Sequence, residues 1–214
     1  MQSERGFHVL EDAGTPARDY GLPMTEGRTD VRAEPRSVNG QVIMPGMAGA
    51  ILYGGLGDLG FEVPSAANAS SLLALAIIPF FGIQFGAVAG FLTGGLGNAL
   101  LEQLHGGGFT LFWNWTIADG VVGMMAGLMG VHVLEYASAS QRIIRVAVIG
   151  VLAAVVGLTF TVTDVLMGNG FLDWLSTSYL PAVSAYGVAV LLFVPLLDEV
   201  WRRNVVIHPR RLLG

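Results

Sequence analysis

Cysteine is absent from the 214 residues, which excludes disulfides, thiolate metal sites and a cysteine nucleophile. Lysine is absent as well, and all eleven basic residues are arginine. A phosphate-binding P-loop needs the lysine of its GK[ST] element. The chain is therefore not a Walker ATPase, and any ATP hydrolysis that serves it belongs to a partner. Charge of either sign is scarce: charged residues are 13% of the chain, against about 25% in a soluble domain. Neither a G-x-S-x-G serine motif nor an H-E-x-x-H metal motif occurs, so the chain does not read as an enzyme. His105 has no second His or Cys close to it in sequence, and His8, His132 and His208 are scattered. No metal site and no cofactor are expected.

What is abundant is apolar. Hydrophobic residues make up 53% of the chain, and the mean hydropathy is +0.61. Several apolar stretches approach the roughly 20 residues that a bilayer-spanning helix needs. We read six spans, near 42–59, 67–81, 84–104, 113–134, 143–166 and 179–201. Pro79 and Gly82 mark the expected break between the second and third. The fold class expected is an all-α membrane protein, a bundle of six transmembrane helices over residues 41–202. Residues 1–40 are polar, with scattered Pro and Gly and no apolar period, and read as a disordered tail. That tail has no apolar segment of the kind a signal peptide needs. Residues 203–214 form a short basic tail.

The arginines test the span count. Five lie in the leading tail, Arg142 and Arg145 lie between the fourth and fifth spans, and Arg202, Arg203, Arg210 and Arg211 follow the sixth. The positive-inside rule places all three groups in the cytoplasm. Four spans must then separate the first two groups and two spans the last two. Both termini are expected inside. The loops near 58–66, 105–112 and 167–178 face outward and contain no arginine.

The stretch GGLGNALLEQLHGGGFTLFWNWTIAD, residues 94–119, sets polar groups among apolar helices. Asn98, Glu102 and His105 share one helical face. Asp119 lies about 9 Å into the fourth span at 1.5 Å per residue, the same depth as Asn98 in the third. A charge at the centre of a spanning helix is costly and normally faces a bundle interior or a watery cavity. Two readings remain open, a helix-to-helix hydrogen bond such as Asn98 with Asp119, or a ligand cavity open to the outside. Trp113, Trp115, Trp174 and Tyr179 fall at outer helix ends, as an interfacial belt or as stacking groups. With Asp164, which follows Thr159 and Thr163 on a related face, and Tyr186 they would line an outer pocket for a small, flat, nitrogen-containing molecule. Gly106–Gly108 make either a flexible lid or a plain turn. Small residues recur every four positions at Gly86, Gly90 and Gly94, and at Gly46, Ala50 and Gly54. Such stripes let helices approach closely. For the first helix, internal packing and docking of an external partner are both open.

From about residue 42 to 202 the chain resembles the substrate-binding S component of an energy-coupling-factor (ECF) vitamin transporter. The resemblance is strongest in IIPFFGIQFGAVAGFLTGGLGNALLEQLHGGG, a short helix ending near a proline and then a glycine-rich helix before an outer loop. It implies a multi-pass protein of a prokaryotic cell membrane that binds a vitamin or related heterocycle from outside. It implies as partners a transmembrane scaffold subunit and two ABC-type ATPases, with the whole S component tumbling to release its cargo. Gly46, Ala50 and Gly54 would take the place of the scaffold-docking face, although glycine replaces alanine at two of its positions. Asn98, Glu102, Trp113, Asn114, Asp119, Trp174 and Tyr179 would be pocket residues. Aromatics with several acids favour a cationic or donor-rich heterocycle, such as thiamine or its pyrimidine precursor. The alternative is a self-sufficient secondary transporter or channel, although no internal repeat is visible between residues 42–104 and 143–201.

Overall fold

The computed structural model describes residues 40–61, 69–107, 113–134 and 139–206. The leading tail, most of the 58–66 loop, Gly108 and the rest of the 105–112 loop, the side chain of His132 and the last eight residues lie outside the described part.

The described residues are almost wholly helical. Six long helices are α1 (Gly40–Phe61), α2 (Ala69–Phe85), α3 (Ala87–Leu104), α4 (Trp113–Leu134), α5 (Ala139–Leu158) and α8 (Leu180–Trp201). Two short ones, α6 (Thr163–Leu166) and α7 (Phe171–Asp173), lie between α5 and α8. Three helical stretches are long and apolar enough to cross a membrane, Val42–Leu59, Gln141–Leu166 and Phe171–Asn204, and Ser71–Phe85 is a shorter apolar helix. Large apolar side chains cover the outside, among them Met44, Ile51, Ile144 and Leu191.

The break between α2 and α3 is not at Pro79 and Gly82. The helix runs through Pro79 to Phe85 and ends at Gly86, whose φ is +94°. Pro79 is fully buried inside the bundle, where neighbouring helices re-satisfy a carbonyl freed by proline. Gly86 adopts a backbone conformation that a side chain would make costly, so it turns the chain sharply from one helix into the next.

α5 also runs on beyond its regular end, through a tight 3₁₀ segment, Thr159–Val162, into α6. Alternating threonines explain the tightening. Thr159, Thr161 and Thr163 each donate a hydroxyl hydrogen bond to the carbonyl three residues earlier, at 2.5, 2.7 and 3.1 Å. Such back-bonding competes with the helical ladder and bends it. After Gly168 (φ +110°) the chain restarts at Phe171 and passes through a wide π-turn, Trp174–Tyr179, into α8. This helical run begins earlier than the expected boundary at 179.

In space, α1 packs on α3, α3 on α4, α4 on α5, and α5 on α8, while α2 sits inside this arc and touches α1, α3, α4 and α8. The core is built there, from Ile78 of α2, Val122 of α4, Val146 and Leu158 of α5, and Val190 and Val194 of α8. The α3–α4 contact is backbone on backbone. A Cβ on Gly90 would overlap the carbonyl of Gly123, and one on Gly94 would overlap the carbonyl of Asp119. Small residues permit that approach, and dispersion then acts over the whole contact. It also fixes where Asp119 points.

Candidate functional site

Asp119 is the centre of a buried polar cluster contributed by four helices. It is 4% exposed, on α4. The Tyr53 hydroxyl of α1 donates to its Oδ2 at 2.7 Å, and the Tyr186 hydroxyl of α8 donates to its Oδ1 at 2.5 Å. Asn98 of α3 is 5% exposed and donates from Nδ2 to Thr116 Oγ1 at 3.1 Å. Tyr53 also lies 3.4 Å from Asn98 Oδ1. A phenol has one proton, and the preferred O–H···O range is about 2.5–3.0 Å, so that proton belongs to Asp119. Asn98 and Asp119 lie on either side of the Tyr53 hydroxyl, and among the described residues the direct Asn98–Asp119 hydrogen bond is not formed: Asn98 turns to Thr116 and Asp119 to the two phenols. Glu102, one turn along from Asn98, is half-buried and within electrostatic reach of Asp119 and Tyr53.

A second group lies nearer the starts of α4 and α8. Asn114, 3% exposed, donates to Asp164 Oδ1 at 2.6 Å. Trp174, 6% exposed, donates from its indole to Thr161 Oγ1 at 3.1 Å, and its ring lies 5.0 Å from that of Tyr179. Tyr179 donates to the Val155 carbonyl at 2.9 Å. Trp113 is 38% exposed and meets Phe160 edge-on at 6.3 Å, whereas Trp115 packs against the core. The two tryptophans therefore divide as their spacing requires. His105 pairs with Asp58 at 3.4 Å across the ends of α3 and α1.

Sequence reasoning missed Tyr53, Thr116 and Thr161. The signal for Tyr53 was a lone aromatic with a polar tip in a glycine-rich helix, and nothing local showed its partner 66 residues away. The stripe Gly46, Ala50 and Gly54 is buried against α3. Cβ atoms on Gly46 and Gly54 would lie 2.9 Å from Leu92 and Leu100 side-chain carbons. Of the two roles left open for α1, this stripe performs internal packing, which leaves it no face for an outside helix. Two apolar hollows of about 280 and 210 Å³ lie along α3 and α4, lined by Ala87, Val88, Phe91 and Met124 and by Phe91, Leu92, Gly95, Leu96, Thr116 and Ile117. Asp119 lines neither.

Residues 43–201, which include all the side chains of both polar groups, match the family described as ECF-type riboflavin transporter, S component. The chain belongs to this family. The ECF S component is the substrate-binding part of a transporter, not an enzyme, and with the apolar helices this makes the chain a membrane protein. A UPF0397 protein of Streptococcus gordonii is 35% identical over 89 residues, 42% of this chain and 46% of that protein. The similarity thus spans about half the length of that curated relative. No solved structure matches the chain. The S-component match supplies the context for a carboxylate buried among hydroxyls.

Proposed function

We propose that this S component captures a small, flat, vitamin-like heterocycle from outside the cell and delivers it inward with a transmembrane scaffold subunit and ABC-type ATPases. The observation that carries the reading is the family match over the whole helical body. The polar groups support it. Asn98, Glu102, Asn114 and Asp119 offer hydrogen-bonding groups, and Trp113, Trp174 and Tyr179 offer ring faces, all toward one end of the bundle. Arg142 and Arg202 stand toward the opposite end, as cytoplasmic residues of the positive-inside rule would. Six spans with both termini inside are the topology this reading carries. For the scaffold subunit, the open face of α1 is the one bearing Met44, Ala48, Ile51 and Gly55, opposite the packed glycine stripe.

The test is binding to the detergent-purified protein, followed by thermal shift against a panel of water-soluble vitamins and their precursors. Riboflavin comes first because it is in the family's name, and thiamine and its pyrimidine precursor come next. A ligand at a hundredfold excess over Kd stabilises the fold by about 2.7 kcal/mol. One compound with a large, saturable shift supports capture. No shift in a folded, ligand-free preparation sinks it. Uptake by cells that lack every ATPase partner would instead favour a self-sufficient transporter.

A further inference from the structure

We infer that Arg202 and Arg203, gathered on Glu199 at the end of α8, hold the phosphate of an anionic phospholipid whose acyl chain lies along Leu192, Leu196 and Val200. This lipid site lies beyond the capture reading and is the same whichever compound is captured. It takes from that reading only that this end of the bundle lies at the cytoplasmic surface of the membrane.

The end of the bundle where α5 starts and α8 stops is basic. Among the described residues it carries Arg142, Arg145, Arg202 and Arg203 against Asp198 and Glu199, a formal charge of +2. Asp198 is committed to Arg142. Glu199 gathers two guanidiniums: Arg202 Nη2 lies 3.3 Å from its Oε2, and Arg203 Nε lies 2.6 Å from its Oε1. Each guanidinium has five N–H donors and a carboxylate has about four acceptor positions, so one carboxylate cannot satisfy both. The shortfall shows at Arg202, whose Nε is buried and has no hydrogen-bond partner among the described residues. A buried N–H of a charged group is costly to leave unpaired. A phosphate supplies oxygens that a guanidinium fork takes two at a time.

The surroundings favour a lipid over a free anion. Leu192, Leu196, Val200 and Arg203 are spaced i, i+4, i+8 and i+11, so they follow one face of α8 and its continuation, and all four are exposed. An apolar stripe that ends in a cation has the order of a phospholipid, acyl chain and then headgroup. Trp201 stands between the two, packed edge-on against Phe80 and Phe85 with ring centroids 6.4 and 5.3 Å away. A tryptophan there belongs at the headgroup level. Arginines at a cytoplasmic helix end attract anionic headgroups. A free phosphate would use the arginines and leave the stripe unused.

The experiment is native mass spectrometry of the detergent-purified full chain, titrated with phosphatidylglycerol or phosphatidylcholine and challenged with inorganic phosphate. The proteins are wild type, Arg202→Met, Arg203→Met, the double variant and Glu199→Gln. Wild type should prefer phosphatidylglycerol. Each single arginine change should weaken its binding about fivefold and the double change about twenty-five-fold, the effect of one and of two charges near an anionic surface. Glu199→Gln removes a competing carboxylate and should bind the lipid more tightly. Equal binding of the two lipids by wild type, or equal phosphatidylglycerol binding by wild type and the double variant, would overturn the lipid site. So would weaker binding by Glu199→Gln, or full displacement of the lipid by inorganic phosphate at the same concentration, which would mark a free-anion site. A double variant that melts far below wild type in lipid-free detergent yet binds lipid unchanged would assign the arginines to an occupant within the chain, such as the net-acidic leading tail, and would also overturn it. Should the arginine variants not fold, wild type and Glu199→Gln decide by the same two criteria. Capture is decided separately, by the vitamin panel.

Discussion

Two aspartates are buried in this bundle, and they are satisfied in opposite ways. Asp198 of α8, 3% exposed, accepts a two-pronged hydrogen bond from Arg142 of α5, with Nε to Oδ2 and Nη2 to Oδ1 both at 2.7 Å. Gln84 of α2 donates to it as well. Asp119, 4% exposed, has two phenols and, among the described residues, no cation. The first site is complete: charge meets charge in the planar geometry that guanidinium and carboxylate favour, and three helices are tied together. The second binds its anion without neutralising it. Tyr186 and Asp198 are twelve residues apart on α8, about 18 Å along the axis, so one helix has a finished clasp and an unfinished one at different depths. Structure maintenance accounts for the first.

The largest effects should come from breaking the complete site. Arg142→Met leaves Asp198 buried without its cation, with only Gln84 donating to it, and should destabilise the protein by about 3–5 kcal/mol, read as a large fall in melting temperature in detergent. The double change Arg142→Met with Asp198→Leu should recover most of the loss, because apolar replacement of a buried pair is often neutral. If the double variant is as unstable as the single, the clasp is not the reason. Asp119→Asn strands no cation, so its empty protein should melt closer to wild type than Asp198→Asn does. The reverse order would contradict the comparison.

Next comes the platform that holds Asp119. Gly94→Ala pushes a methyl into the Asp119 carbonyl and should cost about 1–3 kcal/mol, the range for overpacking, while also weakening ligand binding. Unchanged stability would mean that α3 and α4 are further apart than described. Tyr186→Phe removes one hydrogen bond to a charged acceptor, about 1.5 kcal/mol, and its thermal shift should be smaller than that of Arg142→Met. Smallest is Glu199→Gln. Its partners Arg202, half-buried, and Arg203, exposed, lie at 3.3 and 2.6 Å one turn along the same helical run, where ion pairs near solvent contribute little. Its melting temperature should match wild type.

Much of the fold was legible in the sequence because the relevant patterns are local. Apolar runs, scarce charge and arginines confined to three groups specify helices in a membrane without any knowledge of their neighbours. Asn98 and Asp119 were legible as a pair because depth along a helix is simple arithmetic. The start of α3 was not. Proline looks like a breaker in isolation, yet Pro79 is carried through by the bundle, and Gly86 takes the turn through a φ that composition cannot reveal.

The sequence by itself determined that this chain is helical, apolar, unable to hydrolyse ATP through a P-loop, and supplied with polar side chains at one depth. Tertiary structure alone decided what those side chains do. Tyr53 reaches Asp119 because α1 packs on α3 and α3 on α4, and the α1 glycine stripe is consumed by α3 rather than offered outward. Asp198 is neutralised and Asp119 is not because only one of them comes within reach of an arginine. Helix periodicity assigns each residue a face and a depth, but a hydrogen bond or an ion pair also needs the other helix at contact distance, and that distance is set by how all the helices pack at once.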